Sequence, residues 1–175
     1  AIKTFTQKVN WQDLDFIIVD MPPGTGDTQL TFSQEIKMDG AIIVSTPQEV
    51  ALLDVKRGIK MFDKLGVKIL GLVDNMSYFI GDDDKKYKIF GEGGVKRTAE
   101  EFEKKFLGEI PIDPIVGKAA DEGMPIVEAD PENKISKIYI DLANRVKLEF
   151  INWFYCQGFP NSQSTKEYLV PEVTG

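Results

Sequence analysis

Asp15-Phe16-Ile17-Ile18-Val19-Asp20-Met21-Pro22-Pro23-Gly24-Thr25-Gly26-Asp27 is the stretch on which the fold turns. Four uninterrupted apolar residues, Phe16 to Val19, stand between carboxylates, the pattern of a short strand buried on both faces of a parallel sheet. Two prolines and two glycines stop that strand at once. An aspartate at the carboxyl end of such a strand sits where open α/β sheets bind ligands, so Asp20 is a candidate metal-binding or water-positioning carboxylate. Taken alone, Asp20 also fits an ordinary turn at a strand end. Pro22 and Pro23 stiffen the start of the loop, while Gly24 and Gly26 let the backbone bend sharply or approach a ligand. Asp27 is placed to cap a helix that begins at Thr28.

Outward from this stretch, strands and helices alternate. Ile2, Phe5 and Val9 fall at helical spacing ahead of it. Thr28 to Lys37 follows as a helix, then Gly40 to Ser45 as a second buried strand closed by Pro47. From Glu49 to Leu65 the apolar residues Leu52, Val55, Ile59, Phe62 and Leu65 recur every three or four positions. That predicts an amphipathic helix ended by Gly66. Residues 67–73 form a third strand, and the alternation implies right-handed crossovers, a mainly parallel sheet and helices on both of its faces, an α/β fold.

Residues 80–94, with Asp82-Asp83-Asp84, Lys85-Lys86 and four glycines, read as a polar surface loop. The three aspartates lack the alternating carboxylates and distal Glu of a calcium-binding EF-hand loop. A helix is expected from Val95 to about Lys105, a short strand over 106–110, a loop marked by Pro111 and Pro114, and one or two helical turns between Gly117 and Gly123. The last helix opens at Glu132 or Asn133 and carries the apolar stripe Ile135, Ile138, Leu142 and Val146. Beyond Phe150 the aromatics Trp153, Phe154, Tyr155 and Phe159 crowd together before a polar, proline-containing run. The chain therefore divides into one domain over 1–150 and a tail over 151–175.

The 175 residues carry a net charge of −7 and an isoelectric point near 4.7. Duplex-binding surfaces need clustered Lys and Arg, so nucleic acid is not an expected partner. There is no histidine and a single cysteine, Cys156. That excludes Ser-His-Asp and Cys-His nucleophiles, histidine-ligated zinc and an intrachain disulfide, and suits a reducing, cytoplasmic setting. No apolar run reaches the roughly 18 residues of a membrane span.

The octapeptide Asp20 to Asp27 followed by Thr28-Gln29-Leu30-Thr31-Phe32-Ser33-Gln34 resembles the signature of the Mrp/ApbC branch of the MinD-like P-loop ATPases. The likeness continues through Thr46 to Leu52, Asp74 to Phe79, Ile89 to Gly94 and Gly108 to Asp113, in the family's order, from about Trp11 to Val146. The resemblance implies a three-layer P-loop fold, ATP and Mg²⁺ as cofactors, a homodimer across the nucleotide face, and work on iron–sulfur clusters with assembly or recipient proteins. Residue by residue, it puts Asp20 near Mg²⁺ and its attacking water and makes Met21 to Asp27, with Pro22, Pro23, Gly24 and Asp27, the loop that senses the γ-phosphate. It sets Asn75 beside the adenine, and Pro111 and Asp113 in a loop that flanks the same base.

Two features depart from the family pattern. No Gly-Lys-Ser or Gly-Lys-Thr phosphate loop occurs in the sequence. The family places that loop upstream of everything here, so the chain is read as the carboxy-terminal portion of a longer protein, with its fold truncated at the N-terminal side and without independent ATPase activity. The Cys-x-x-Cys that many members carry after the Asn-Met-Ser-Tyr-Phe block is replaced by Ile80-Gly81-Asp82-Asp83-Asp84, which puts cluster carriage by this chain in doubt. Two other functions share the fold: a non-catalytic interaction module, and a spatial-regulation ATPase like MinD or the partition proteins.

Overall fold

The computed structural model describes residues 9–10, 14–21, 33, 36 and 38–156. Its elements are β1 (Ala41–Ser45), α1 (Glu49–Leu65), β2 (Ile69–Ile80), β3 (Lys86–Tyr87), α2 (Gly94–Glu101), β4 (Phe106–Ile112), α3 (Pro114–Asp121), α4 (Ile126–Ala129) and α5 (Lys134–Cys156). β1 and β4 both pair with β2 in parallel, and β3 pairs with its far end antiparallel. The expected α/β architecture holds, with β2 at its centre.

Alternation along β2 sends neighbouring side chains to opposite layers. Leu72 packs with Leu52, Val55 and Ile59 of α1 and Val95 and Ala99 of α2. Val73 faces the other way, with Leu107 and Ile110 of β4 against Ile138, Tyr139, Leu142 and Val146 of α5. A smaller cluster of Ala119, Ile126 and Ile135 seals α3 and α4 onto α5. Helix α1 ends as expected: Gly66 adopts a left-handed φ of +68° and its N–H returns to Asp63 and Phe62 carbonyls.

Close packing of β2 on β4 depends on Gly71, because a Cβ there would lie 2.9 Å from the Lys105 carbonyl oxygen and closer still to Leu107. Backbone cannot yield cheaply, so Gly71→Ala is expected to destabilise the fold by about 1–3 kcal/mol, measured as a lower urea midpoint.

Several expectations change. Phe16 to Val19 form no strand, and residues 14–20 are exposed, Ile18 at 93%. A buried parallel strand needs a ladder beside it to pair its N–H and C=O groups, and among the described residues none lies alongside. Phe16 instead sets its ring edge-on against Phe150 of α5, with centroids 6.1 Å apart. The sequence stopped the third strand at Val73, yet β2 runs on to Ile80, and part of the expected surface loop becomes the hairpin strand β3. Helix α2 ends at Glu101, short of Lys105, because Phe102 and a left-handed Glu103 (φ +54°) turn the chain into β4. β4 passes through Pro111, where a loop was expected. Helix α3 starts at Pro114, not Gly117, and α5 continues past Phe150 to Cys156, with Asn133 Oδ1 accepting from the Ile135 N–H at its start. The expected helices over 1–10 and 28–37 and the tail from 157 lie outside the described residues, apart from Val9, Asn10, a helical, buried Ser33, and Ile36.

Candidate functional site

The carboxyl end of β1 lies level with the middle of β2 and β4. Ser45 is in register with Asp74, and Asp74 with Glu109, so this row shares one face of the sheet. One position further on, Asn75 is in register with Ile110. The topology thus sets Asn75 next to the segment that leads through Pro111 to Asp113, which the sequence reading had placed together only by resemblance.

The ladder breaks just beyond. Asn75 pairs with Ile110 and Phe79 with Ile112, so residues 76–78 stand opposite Pro111 alone. Proline has no N–H to give, and a bulge is where a sheet accommodates it. Met76 takes a left-handed φ of +56° at this kink. Ser77, buried, donates its hydroxyl to the Ile110 carbonyl at 3.2 Å and ties the kink back to β4. Pro111 is buried, while Met76 is 44% exposed.

Asp74 is 1% exposed, and its Oδ1 has no hydrogen-bond partner among the described residues. Burial, reinforced by the Glu109 carboxylate and opposed by the Lys88 ammonium, raises its pKa from the ordinary 3.8 to about 6. Lys88 Nζ sits 4.0 Å from Glu109 and 3.9 Å from Glu92, linking the hairpin to β4 and to the glycine-rich turn before α2. It also lies 5.4 Å from the centroid of the Tyr78 ring, over which Lys86 stands at 4.1 Å.

The other expected site residues fare differently. Asp113 Oδ1 accepts from the Ile115 N–H at 2.9 Å, capping α3 with Pro114 at its first turn. Its carboxylate is thus engaged in holding the loop. Asp20 is described and exposed; Pro22, Pro23, Gly24 and Asp27 lie outside the described residues. Among the described residues no three His, Cys, Asp or Glu side chains converge to hold a metal, and no helix is long and apolar enough to cross a membrane.

In the hairpin, Asp83 accepts from the Tyr87 hydroxyl at 3.0 Å and the Lys85 N–H at 3.2 Å, and pairs with Lys85 Nζ at 3.0 Å. The side-chain bond from Lys85 leads in holding its carboxyl below the usual range. Sequence reasoning gave no role to Asp74, Met76, Lys88 or Glu109. The signal was present for two of them: a carboxylate ending the apolar run Ile69 to Val73, and a proline two residues after Glu109 in a strand-like segment.

A family model described as "ParA: NUBPL iron-transfer P-loop NTPase" matches residues 1–147. The chain is 50% identical over 147 residues to an "Iron-sulfur protein required for NADH dehydrogenase, mitochondrial" from Arabidopsis thaliana, covering 83% of this chain and 47% of that protein. It is 47% identical to an iron–sulfur cluster carrier protein from Synechocystis, again over 83% of this chain and 42% of the relative. Among solved structures it resembles a nucleotide-binding protein from Archaeoglobus fulgidus in complex with ADP, with TM-score 0.63, 40% identity, 70% of this chain and 51% of that one. It also resembles the Pyrococcus furiosus cell division ATPase MinD, with TM-score 0.60, 27% identity, 84% of this chain and 55% of that one. The chain spans less than half the length of these two curated relatives. The match over residues 1–147 and these identities establish that the chain belongs to the NUBPL iron-transfer family of ParA-type P-loop NTPases.

Proposed function

We propose that residues 1–150 supply the later portion of an ATP-binding, ATP-hydrolysing protein that serves iron–sulfur cluster assembly or transfer. The observation that carries this reading is the register that sets Asn75 of β2 beside the Ile110–Asp113 end of β4, one position beyond the end of β1, on the side of the sheet where open α/β folds take ligands. A carboxamide there offers both a donor and an acceptor to the edge of a purine. The base end of the site therefore fits a nucleotide. The phosphate end has no Gly-Lys-Ser or Gly-Lys-Thr in this sequence to cradle it, and Asp20 with the Met21 to Asp27 loop is assigned the Mg²⁺ and γ-phosphate side.

The cluster is cargo, and the hairpin does not fit it. No thiol stands between Ile80 and Tyr87, and Asp83 is already engaged by Lys85 and Tyr87. This supports a role in which the complete protein, as a homodimer, drives assembly or hand-over while a partner's thiolates hold the cluster.

Calorimetry with ATP and Mg²⁺, on this chain and on a form extended upstream through a phosphate loop, tests the reading. Binding by the extended form alone is the expected result; no binding by either removes the nucleotide function. In the complete protein, Asp20→Ala is expected to reduce ATP turnover sharply, and unchanged turnover refutes its role. Asn75→Ala is expected to weaken ATP binding about tenfold, the effect of one or two lost hydrogen bonds to the base.

A further inference from the structure

We propose that Asp74 and Glu109, with the Ser45 hydroxyl beside them, form a binding site for a small, hard divalent cation of the Mg²⁺ type, separate from the Mg²⁺ assigned to the nucleotide at Asp20. The site belongs to this chain alone and does not depend on nucleotide binding.

Three oxygen-bearing side chains stand in one row across three parallel strands, Ser45 in register with Asp74 and Asp74 with Glu109. Neighbouring strands lie about 4.8 Å apart, so Asp74 is within side-chain reach of both. Asp74 is 1% exposed, and its buried Oδ1 has no hydrogen-bond partner among the described residues. A buried acceptor without a partner is costly, and the Glu109 charge beside it adds repulsion where attraction is wanted. The groups nearby do not supply it. Lys88 Nζ stays 4.0 Å from Glu109 and is shared with Glu92 at 3.9 Å, beyond hydrogen-bond length in both cases. Ser45 donates its proton to the Thr46 carbonyl at 3.0 Å, so its oxygen has only lone pairs left to offer the row.

The donor set also selects the ion. Two carboxylates and a hydroxyl are too few for Ca²⁺, and the row has no thiolate or imidazole for zinc. Mg²⁺ binds through one or two carboxylates and keeps much of its water. The Glu109 side chain, 37% exposed, opens the row to solvent on the side where that water would stay. Lys88 is then the competitor, since an arriving cation must displace its ammonium from Glu109.

The test adds Mn²⁺, a paramagnetic stand-in for Mg²⁺, to this chain with its amides isotopically labelled, and follows them by NMR. Well below one equivalent, Mn²⁺ is expected to broaden the amides of residues 44–46, 73–75 and 108–110, with excess Mg²⁺ reversing the effect and Asp74→Asn abolishing it. Broadening confined to residues 81–86, around the Asp82 to Asp84 run, or no selective broadening, overturns the site. Failure of ATP to bind the upstream-extended form leaves it standing.

Melting separates the site from the surface carboxylates. For a dissociation constant of about 1 mM, about 10 mM Mg²⁺ is expected to raise the melting temperature of this chain by about 3–6 °C, a rise absent in Asp74→Asn. Lys88→Gln, which removes the competing charge, is expected to tighten Mn²⁺ binding roughly fivefold. An equal rise in Asp74→Asn, or no tightening in Lys88→Gln, overturns the assignment.

Discussion

Asp74→Asn should stabilise this fold at neutral pH, by up to about 3 kcal/mol, even though it alters a residue at the candidate site. With a pKa of about 6 in the folded chain against 3.8 ordinarily, the buried carboxyl gives up its proton later than it does when unfolded. Well below pH 3.8 both states are protonated and the group makes no difference. Between pH 4 and 6 the unfolded chain ionises first, stability falls, and above pH 6 the loss is complete. At about 1.4 kcal/mol for each tenfold difference in proton affinity, that loss amounts to about 3 kcal/mol. Asparagine removes the charge, and its own buried amide takes back part of the gain.

The groups that bear on Asp74 are Glu109 from β4 and Lys88 from the segment after β3, the latter shared with Glu92. Melting temperatures of both forms between pH 3.5 and 8 decide the matter. The advantage of Asp74→Asn should be absent at the acid end and grow to roughly 6–12 °C above pH 6. A pH-independent difference refutes the account.

Two residues away on the same strand and the same face, the expected sign reverses. Leu72 is fully buried in the cluster formed with α1 and α2. Leu72→Ala removes its methyl groups from water-free packing and leaves a cavity in a layer pinned on both sides by parallel ladders. We expect a loss of about 3–5 kcal/mol, read as a lower urea midpoint with an unchanged slope. A cost below about 1 kcal/mol means that the layer collapses around the gap and is looser than its burial implies.

Legibility followed the physics of each segment. Helix α1 was readable end to end, because its apolar spacing and Gly66 act locally. The stripe on α5 was equally plain, while its reach to Cys156 was not, since Phe150, Trp153 and Phe154 can pack in a helix or a loose tail alike. β2 was cut short because Asp74, Asn75 and Ser77 look like the end of a strand. What carries it onward is pairing with β3 and β4, a non-local property. Phe16 to Val19 have the composition of a buried strand but no neighbour among the described residues to make them one. At the site, Asn75 and its setting were found through resemblance. The capping role of Asp113 was not read from the sequence, which gave it only a place in a loop beside the base, although the Asp-Pro pair carries the signal; the exposure of Met76 depends on a kink opposite a proline 35 positions away.

Among the described residues every strand pairs with β2 and none of the others pair with each other. Among the described strands every pairing therefore waits for β2, and each parallel pairing must first close a long crossover. In native-state hydrogen exchange the amides of residues 71–75 should be the last to open, at the free energy of global unfolding. Asn75 would then stand at the end of the most slowly opening segment of β2, and a ligand held there would leave by movement of the surrounding loops rather than by fraying of the strand beneath it.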